Sequence, residues 1–576
     1  MKSRTGLWLL VVILVLGISF RFYNLNWDSG QHLHPDERFL TMVAGSVNWP
    51  LSLAGYFSTA QSPLNPHNAG YQFYVYGTLP LFTVKAFAQL LHLADYNGFT
   101  VVGRYVSALL DSLTIILVFL ISRHVSKSGR AGLFSALLYA VSVLPIQLAH
   151  FFAVDPFLVF FNTLSFFLLL LLLSSSSPAS ELQMSISLGL AYGLALSAKI
   201  SAVLFLPVII LGFWFMLRCK FQIKQLFILG FLFLVSAFLT FRIFQPYAFT
   251  GIFTPNPDFI SGLKTLRSYE DSSGWYPPSV QWINTPVWFS FENLFYWGLG
   301  PVLAVLALAA SVYAFYYRSK YPGVLLVLIW IWGLFFYQSL QFTKPLRYFY
   351  PAYPFIAVIS GLFLSRCWLL LRHIYIKFGI LLLLIYWPVA FISIYTRPVT
   401  RIQATDWINQ HIPSGSTLTC EYWDDCLPLS GAEKYQVLSL HLYDPESLSK
   451  WAEIQRVLAR ADYLILSSNR LYGSIMSDSS KYPDTTSFYR DLFSGKLGFK
   501  LVAQFTSRPN LPVPGLRFCI TPPFISYGRA AFSLQDCPLT GISFVDDYAD
   551  ESFTVYDHPK VLIFQKTSDP GVTFIQ

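Results

Sequence analysis

The sequence predicts an α-helical protein that crosses a membrane many times and ends in a soluble α/β domain. Hydrophobic residues make up 54% of the chain and aromatic residues 18%, whereas charged residues make up 12%. This composition differs from that of soluble globular proteins. Apolar runs of roughly 17–25 residues, the length that spans about 30 Å of hydrocarbon, recur from residue 7 to residue 396 and then stop. We therefore predict a membrane domain, residues 1–396, followed by a water-soluble domain, residues 397–576.

About eleven crossings are predicted, together with juxtamembrane helices. The predicted spans lie near residues 7–23, 101–122, 131–149, 154–173, 183–198, 200–217, 225–243, 291–316, 322–341, 347–365 and 376–396. Residues 73–91 are also long enough to span, but they contain Pro80 and Lys85, and counting them would place most basic loops outside. We predict an interfacial or re-entrant helix there, within a first outer loop of residues 24–100.

The distribution of positive charge predicts the topology. The net charge of +9 comes from basic residues in short loops, without a basic stripe or a nucleic-acid motif, so nucleic acid is not a predicted partner. Alternate loops carry Lys2 and Arg4, Arg123/Lys127/Arg130, Arg218/Lys220/Lys224, Arg318/Lys320 and Arg366/Arg372/Lys377. By the positive-inside rule these loops and the N-terminus are cytoplasmic. The first outer loop, a second outer loop at residues 244–290 and the C-terminal domain then lie on the opposite side.

The C-terminal domain alternates helical and strand patterns. "RIQATDWINQHI" and "ESLSKWAEIQRVLARA" predict helices, whereas "STLTCEYW", "ADYLILSS" and "KVLIFQK" predict strands. Four cysteines fall in this domain, and an even number in an oxidising compartment permits disulfides. Three pairings are open among Cys420, Cys426, Cys519 and Cys537. The acids of "EYWDDCLP" could contact an acceptor, but we expect them to lie in a solvated loop.

Charged residues collect at the outer ends of the predicted spans. In "HPDERFL", Pro35 suits the first helical position, and Asp36 and Glu37 occupy the first turn, where the helix dipole favours negative charge. Taken alone, these acids would merely cap a helix. Ionisable groups also stand at the outer ends of other spans: Arg104, His150, Asp155, Lys199, Lys344 and Arg347. Because such groups are costly at membrane depth and tend to line cavities, we predict an outer cavity with carboxylates on one side and cations on another.

A cavity of this kind suits group transfer from a lipid phosphate. The cations would hold the phosphate, and a carboxylate would remove the proton of an acceptor hydroxyl. The chain contains no Walker loop, GxSxG or HExxH motif. The loop 244–290 is rich in aromatic residues, Pro and Gly, and it either closes over a sugar or forms an interfacial aromatic belt.

Several segments, taken in order, resemble the GT-C class of membrane glycosyltransferases. These are the acidic pair in the first outer loop, "RYVSALLDSLTIILVFL", "FFAVDPFLVFFNTLSFFLLL", "GLALSAKISAVLFLP" and "RYFYPAYPFIAV". The nearest families by this resemblance are GT39 and GT83, which include protein O-mannosyltransferases and the aminoarabinose transferase of lipid A. The chain lacks the "KPPL" tract of the lipid A branch and the MIR-type repeats of eukaryotic O-mannosyltransferases.

The resemblance implies a GT-C fold and an inverting transferase with a polyprenyl-phosphate sugar donor and a lipid, glycan or protein acceptor. Asp36 matches the catalytic loop aspartate, with Glu37 and Asp155 as further catalytic acids. Arg104, Arg347, Tyr348 and Lys199 are assigned to the donor phosphate, and His34 and His150 to the sugar or acceptor. A divalent metal on Glu37 or Asp155 is an open alternative to a reaction without cofactors. A bacterial plasma membrane is the expected location.

Two other functions are compatible with the sequence. A transporter or lipid flippase would show internally repeated spans with charges near the bilayer midplane, and no such repeat is seen. A non-catalytic subunit of an envelope glycan assembly complex would carry the outer-face acids incidentally.

Overall fold

The computed structural model describes residues 3–219, 222–271, 276–321, 323–523 and 529–567. Lys2 and Lys220 of the topology prediction lie outside these ranges, as do parts of the predicted loop 244–290 and of the C-terminal domain. The helices of the membrane domain are α1 Ser3–Phe22, α2 Pro35–Ser46, α3 Leu53–Phe57, α4 Thr78–Leu90, α5 Tyr96–Ser126, α6 Gly129–Ala140, α7 Val143–Ala149, α8 Asp155–Ser174, α9 Pro178–Ala198, α10 Leu206–Cys219, α11 Ile223–Phe244, α12 Pro257–Ser268, α13 Phe289–Asn293, α14 Pro301–Tyr316, α15 Val324–Leu340, α16 Tyr353–Leu370 and α17 Ile374–Ile392.

Among the described residues, seven helices are long and apolar enough to cross a membrane, and two bent helix pairs raise this number to nine. The prediction of a polytopic helical protein is therefore confirmed. The other two of the eleven predicted crossings are helices α9 and α15, of which α15, with 17 residues, is at the lower limit for a span. Residues 73–91 contain the 13-residue helix α4, which at about 1.5 Å per residue is too short to cross.

Two predicted spans are not straight. The span 131–149 bends by 58° between α6 and α7, because Pro145 cannot donate a helical hydrogen bond and its ring clashes with the carbonyl of residue 141. The span 291–316 bends by 119° before α14. There Gly300 adopts a φ of 75°, a left-handed conformation that suits glycine, and Pro301 starts the next helix.

Helix α9 lies at the centre of one half of the bundle, packed against both α8 and α11. Its contact with α11 is close because Gly189 and Gly193 present no side chain: a β-carbon at either position would collide with backbone oxygen atoms of α11. Small residues four apart are a common way for membrane helices to approach each other. Helix α16 packs against α5, α6 and α14 in the other half.

The soluble domain has the predicted α/β architecture. Its elements are α18 Thr400–His411, β1 Thr417–Glu421, β2 Gln436–Leu440, α19 Leu448–Arg460, β3 Tyr463–Leu466, α20 Arg470–Ile475, α21 Pro483–Phe493, β4 Phe499–Phe505, β5 Asn510–Leu511, β6 Arg517–Ile520, β7 Gly541–Phe544, α22 Glu551–Thr554 and β8 Val561–Lys566. A five-stranded sheet has the order β2-β1-β3-β8-β4, and a three-stranded sheet has the order β5-β7-β6. Disulfides join Cys420 to Cys426 and Cys519 to Cys537.

The acids of "EYWDDCLP" do not form the expected solvated loop. Asp424 is buried and pairs with Arg401 at 2.7 Å, and Asp425 accepts a hydrogen bond from Arg38 of the membrane domain at 2.7 Å. Glu421 is buried against the Tyr489 hydroxyl at 2.5 Å, and burial raises the pKa of its carboxyl well above the ordinary value. These residues hold the domain together and attach it to helix α2.

Candidate active site

A cavity of about 1410 Å³ lies where the membrane domain meets the soluble domain. Its walls come from the start of α2, the start of α8, the 3₁₀ turn Leu346–Ala352, the loop 244–290 and the segment that contains α22. Five of the predicted site residues line it, namely Asp36, Asp155, Lys199, Arg347 and Tyr348. Tyr269 and Tyr276 of the loop 244–290 also line it, which favours the prediction that this loop encloses a ligand.

The central contact of the cavity is an ion pair between Asp36 and Arg347. Helix α2 begins at Pro35, as predicted, so Asp36 stands in its first turn. Burial alone would raise the pKa of Asp36, but Arg347, His34 and a hydrogen bond from Tyr76 hold it well below its usual range. Asp36 is therefore ionised. The Nε atom of Arg347 is buried without a hydrogen-bond partner among the described residues.

A second ion pair lies beside the first. Lys199, which follows helix α9, places its Nζ atom 2.8 Å from Oδ1 of Asp155 at the start of α8. The same Nζ atom is 5.1 Å from the centroid of the Tyr348 ring, and the Arg347 guanidinium carbon is 5.8 Å from that centroid. The Tyr348 ring therefore contacts both cations, which brings two positive charges to one wall of the cavity.

Acidic side chains from three parts of the chain fix the segment that carries Arg347. Glu270 of the loop 244–290 accepts hydrogen bonds from the backbone N–H and the hydroxyl of Thr343. Asp550 of the soluble domain accepts the N–H of Leu346 at 3.0 Å. Asp111 of helix α5 accepts the hydroxyl of Tyr350 and pairs with Arg21. The position of Arg347 thus depends on the membrane domain, the loop and the soluble domain together.

Arg104 and Glu37 lie outside the cavity, in a buried ion cluster. The Arg104 guanidinium donates to Glu37 at 2.5 and 2.9 Å and to Asp28 at 2.8 and 3.0 Å, and its remaining N–H donates to the carbonyl of Leu25. Glu37 also accepts the N–H of Phe152 at 2.7 Å. No N–H of Arg104 is left for a donor phosphate in this arrangement. The predicted roles of Arg104 in phosphate binding and of Glu37 in catalysis therefore have no support here.

Replacing Arg104 with glutamine is expected to lower the stability of the protein by about 3–5 kcal/mol, because it leaves Asp28 and Glu37 buried without a cation. The measurement is the unfolding midpoint of the purified protein in detergent, with the exposed Arg456→Gln as control. An unchanged midpoint combined with lost donor binding would return Arg104 to the phosphate site.

The two predicted histidines are also buried, and neither lines the cavity. His34 caps helix α2, where its Nδ1 atom accepts the N–H of Glu37 at 3.3 Å, and its ring packs between Phe151 and Tyr556. His150 stacks on Tyr395 with ring centroids 4.1 Å apart, and both of its ring nitrogens are close to backbone carbonyls. Both residues position neighbouring segments, and their predicted contact with a sugar or an acceptor is not supported.

The segment 546–558 of the soluble domain inserts between the helices and completes the cavity wall. Asp557 accepts hydrogen bonds from Gln147 and Tyr395 of the membrane domain at 3.0 and 2.8 Å. His558 lies between Asp557 and Asp546, at 2.5 and 2.9 Å. Burial would lower the pKa of His558, but the two carboxylates raise it to about 10. His558 is therefore charged at neutral pH and holds the segment in place.

The stability of the protein is expected to fall as pH rises from 7 to above 10. The pKa of His558 is about 6.5 in the unfolded protein and about 10 in the folded protein. The stability that the charged histidine contributes is therefore fully present below pH 6.5 and is lost as the pH rises to about 10. The decrease in melting temperature should be steeper for the wild type than for His558→Gln, which cannot be charged. Equal pH slopes for the two proteins would contradict this prediction.

The described residues do not offer a metal site. They contain no group of three His, Cys, Asp or Glu side chains placed to hold a metal ion. The two predicted ligands, Glu37 and Asp155, are paired with Arg104 and Lys199 respectively. We assign no chemical step to a metal.

Three buried acids that position these segments were not predicted from the sequence, namely Asp28, Asp111 and Asp550. Asp28 and Asp111 are acids in or beside apolar spans, a signal that could have marked them. Asp550 stands in the soluble domain, where an acid is ordinary, so no local pattern distinguishes it.

Comparisons with known proteins support the predicted fold, that of polytopic membrane glycosyltransferases. Residues 11–258, less than half of the chain, match the family model described as dolichyl-phosphate-mannose-protein mannosyltransferase. No curated protein sequence matches the chain.

Two solved structures of one archaeal enzyme show the same fold. AglB, the oligosaccharyltransferase from Archaeoglobus fulgidus, in complex with an inhibitory peptide and a dolichol-phosphate, is 13% identical over 85% of this chain and 72% of its own, with a TM-score of 0.52. The Archaeoglobus fulgidus oligosaccharyltransferase in complex with Zn and sulfate is also 13% identical, over 83% of this chain and 71% of its own, with a TM-score of 0.51. ArnT from Cupriavidus metallidurans, bound to undecaprenyl phosphate, covers 87% of this chain and 97% of its own at 13% identity, with a TM-score of 0.45.

Proposed function

We propose that this protein transfers a sugar from a polyprenyl-phosphate carrier to an acceptor hydroxyl, with inversion at the anomeric carbon. The main support for the proposal is the Asp36–Arg347 ion pair in a large cavity, with Lys199 and Asp155 beside it. One surface therefore combines a carboxylate that can accept a proton with two cations that can bind a phosphate. The dolichol-phosphate in the AglB complex supports a lipid-phosphate donor.

The reaction uses these groups in one displacement. The acceptor oxygen attacks the anomeric carbon while its proton passes to the Asp36 carboxylate. The bond between that carbon and the phosphate oxygen breaks, and polyprenyl phosphate leaves with the electron pair. Arg347 and Lys199 stabilise the charge that develops on the leaving phosphate, so no general acid is needed.

Donor binding would also activate the base. A phosphate that binds Arg347 competes with Asp36 for the same guanidinium, and Asp36 then loses the partner that holds its pKa low. The carboxylate becomes a stronger base when the donor is present. The free enzyme, in contrast, keeps Asp36 paired and inactive.

The cavity is proposed to open on the extracytoplasmic side of the membrane. The basic loops that the positive-inside rule places in the cytoplasm follow the ends of α5, α10, α14 and α16. The segment before α16 lines the cavity, so the basic end of α16 faces away from it.

The test is transfer by the purified full-length protein in lipid vesicles. A panel of labelled polyprenyl-phosphate sugars is supplied with envelope extracts as acceptors, and the anomeric configuration of the product is read by NMR. We expect label to move to an acceptor with inverted configuration. Movement of intact donor across the bilayer without transfer would show a flippase instead.

A further inference from the structure

The three-stranded sheet β5-β7-β6 has one apolar face and one polar face. In neighbouring strands, paired residues point to the same side, and here Phe518 pairs with Ile542 while Ile520 pairs with Phe544. Leu511 pairs with Ile542 from the other edge. The opposite face carries Asn510, Cys519 and Ser543. One side of the sheet is therefore apolar across all three strands.

On this sheet the apolar face is more exposed than the polar face, which is the reverse of a sheet in a soluble protein. Phe518 and Ile520 are 55% and 42% exposed, whereas Ser543 on the polar face is 1% exposed. The Ser543 hydroxyl donates to the Asn510 side-chain carbonyl at 3.0 Å inside the protein. An antiparallel or mixed sheet in water normally buries its apolar side and exposes its polar side. Strand β6 of this sheet turns its apolar side outward, whereas Leu511 and Phe544 of the same face are partly buried.

The apolar face continues a contact that already exists with helix α17. Phe544 packs on Trp387 and Tyr386 of that helix, with ring centroids 5.4 and 5.8 Å apart. The Asn510 N–H donates to the Ser393 hydroxyl, just beyond the end of α17, at 3.0 Å. Phe518 and Ile520 thus lie on the same face of the sheet as Phe544, which packs on α17. This face continues beyond the edge of the helix.

The level of this contact along α17 places the sheet at the membrane boundary. Helix α17 has 19 residues, about 28 Å at 1.5 Å per residue, so it needs its whole length to cross about 30 Å of hydrocarbon. Trp387 stands five residues before the end, about 8 Å below it. Because Phe544 touches Trp387, the edge of the sheet reaches below the outer end of the span.

The turn before β6 has the composition of a membrane anchor. The Leu516 N–H donates to the Val513 carbonyl at 3.2 Å, and Gly515 closes the turn with a φ of 77°. Val513 and Leu516 are exposed apolar side chains. The next residue, Arg517, is exposed. Apolar residues next to a cation suit the boundary between acyl chains and lipid phosphates.

We propose that this face, formed by Leu516, Phe518, Ile520 and Phe544, lies in the lipid beside α17 and anchors the soluble domain to the bilayer. The partner is the acyl-chain layer of the bilayer. Strand β7 ends at Phe544, two residues before the segment 546–558 that completes the cavity wall. The anchor therefore fixes the cavity wall relative to the membrane. The proposal is independent of the sugar-transfer chemistry.

The test places a fluorescent amino acid at Phe518 in the full-length protein, in phosphatidylcholine vesicles with and without doxyl-labelled lipid. Leu448, an apolar residue at the start of α19 that is 93% exposed, is the matched control site. We expect doxyl lipid to quench the probe at Phe518 at least several-fold more than the probe at Leu448. A probe at Leu516, in the turn, repeats the measurement without disturbing the strand.

Equal quenching at Phe518, Leu516 and Leu448 would overturn the proposal. Probes that are shielded from water yet insensitive to doxyl lipid would also overturn it, because they would show that a protein, such as a second copy of this chain, covers the face.

Discussion

Replacing Asp36 with asparagine is expected to lower sugar transfer by roughly 10²- to 10⁴-fold, the usual contribution of a positioned base. Asparagine keeps the shape of the side chain but cannot accept the acceptor proton. Donor binding should be unchanged or tighter, because Arg347 no longer has a carboxylate partner. Turnover and donor affinity are measured on the same purified preparation.

The matched control is Asp484→Asn, an exposed acid in the first turn of helix α21, which should leave both quantities unchanged. Near wild-type turnover in Asp36→Asn would show that the base is misassigned. Loss of turnover in Asp155→Asn alone would move the role to the second ion pair of the cavity.

Replacing Arg347 with glutamine is expected to weaken donor binding by about 30-fold or more. Removing one partner of a largely desolvated charge pair costs roughly 2–5 kcal/mol, and 1.4 kcal/mol corresponds to a factor of ten in affinity. The variant should also raise the pKa of Asp36, since the guanidinium is its main stabilising charge. Donor affinity is measured by displacement of a labelled polyprenyl phosphate.

Lysine at position 347 should recover part of this affinity, because it restores the charge without the planar fork that suits phosphate. The control Arg456→Gln removes an exposed arginine of helix α19 and should bind the donor normally. Unchanged donor affinity in Arg347→Gln would exclude this residue from the phosphate site.

The sequence predicted that charged residues near the ends of spans meet in one cavity. Asp155, Lys199 and Arg347 lie beside the termini of predicted spans, whose outer ends stand at one level, and Asp36 stands in the first turn of helix α2, which follows the first span. Nothing further was needed to expect these four charges on one surface.

The pairing of charges within that surface could not be predicted in the same way. Arg104 also lies near a helix end, yet Asp28, Glu37 and the Leu25 carbonyl occupy all of the N–H groups that a phosphate would need. Which carboxylate reaches which guanidinium depends on how α1, α2 and α5 pack, and one sequence does not contain that geometry. For the same reason the four cysteines left three pairings open.

The soluble domain illustrates the same limit. Its strands and helices followed from local periodicity, because alternation and amphipathic spacing are local properties. The insertion of residues 546–558 between the membrane helices was not predicted, since it depends on buried contacts such as Asp550 with Leu346 and Asp557 with Tyr395. These partners are more than 150 positions apart in the sequence.

The most direct test of the proposed site is a structure of the full-length protein with bound polyprenyl phosphate, determined in lipid nanodiscs. We expect the phosphate within hydrogen-bonding distance of the Arg347 guanidinium and near Lys199, with Asp36 released from Arg347 and facing the space of the sugar. A phosphate bound elsewhere, with the Asp36–Arg347 pair intact, would contradict it.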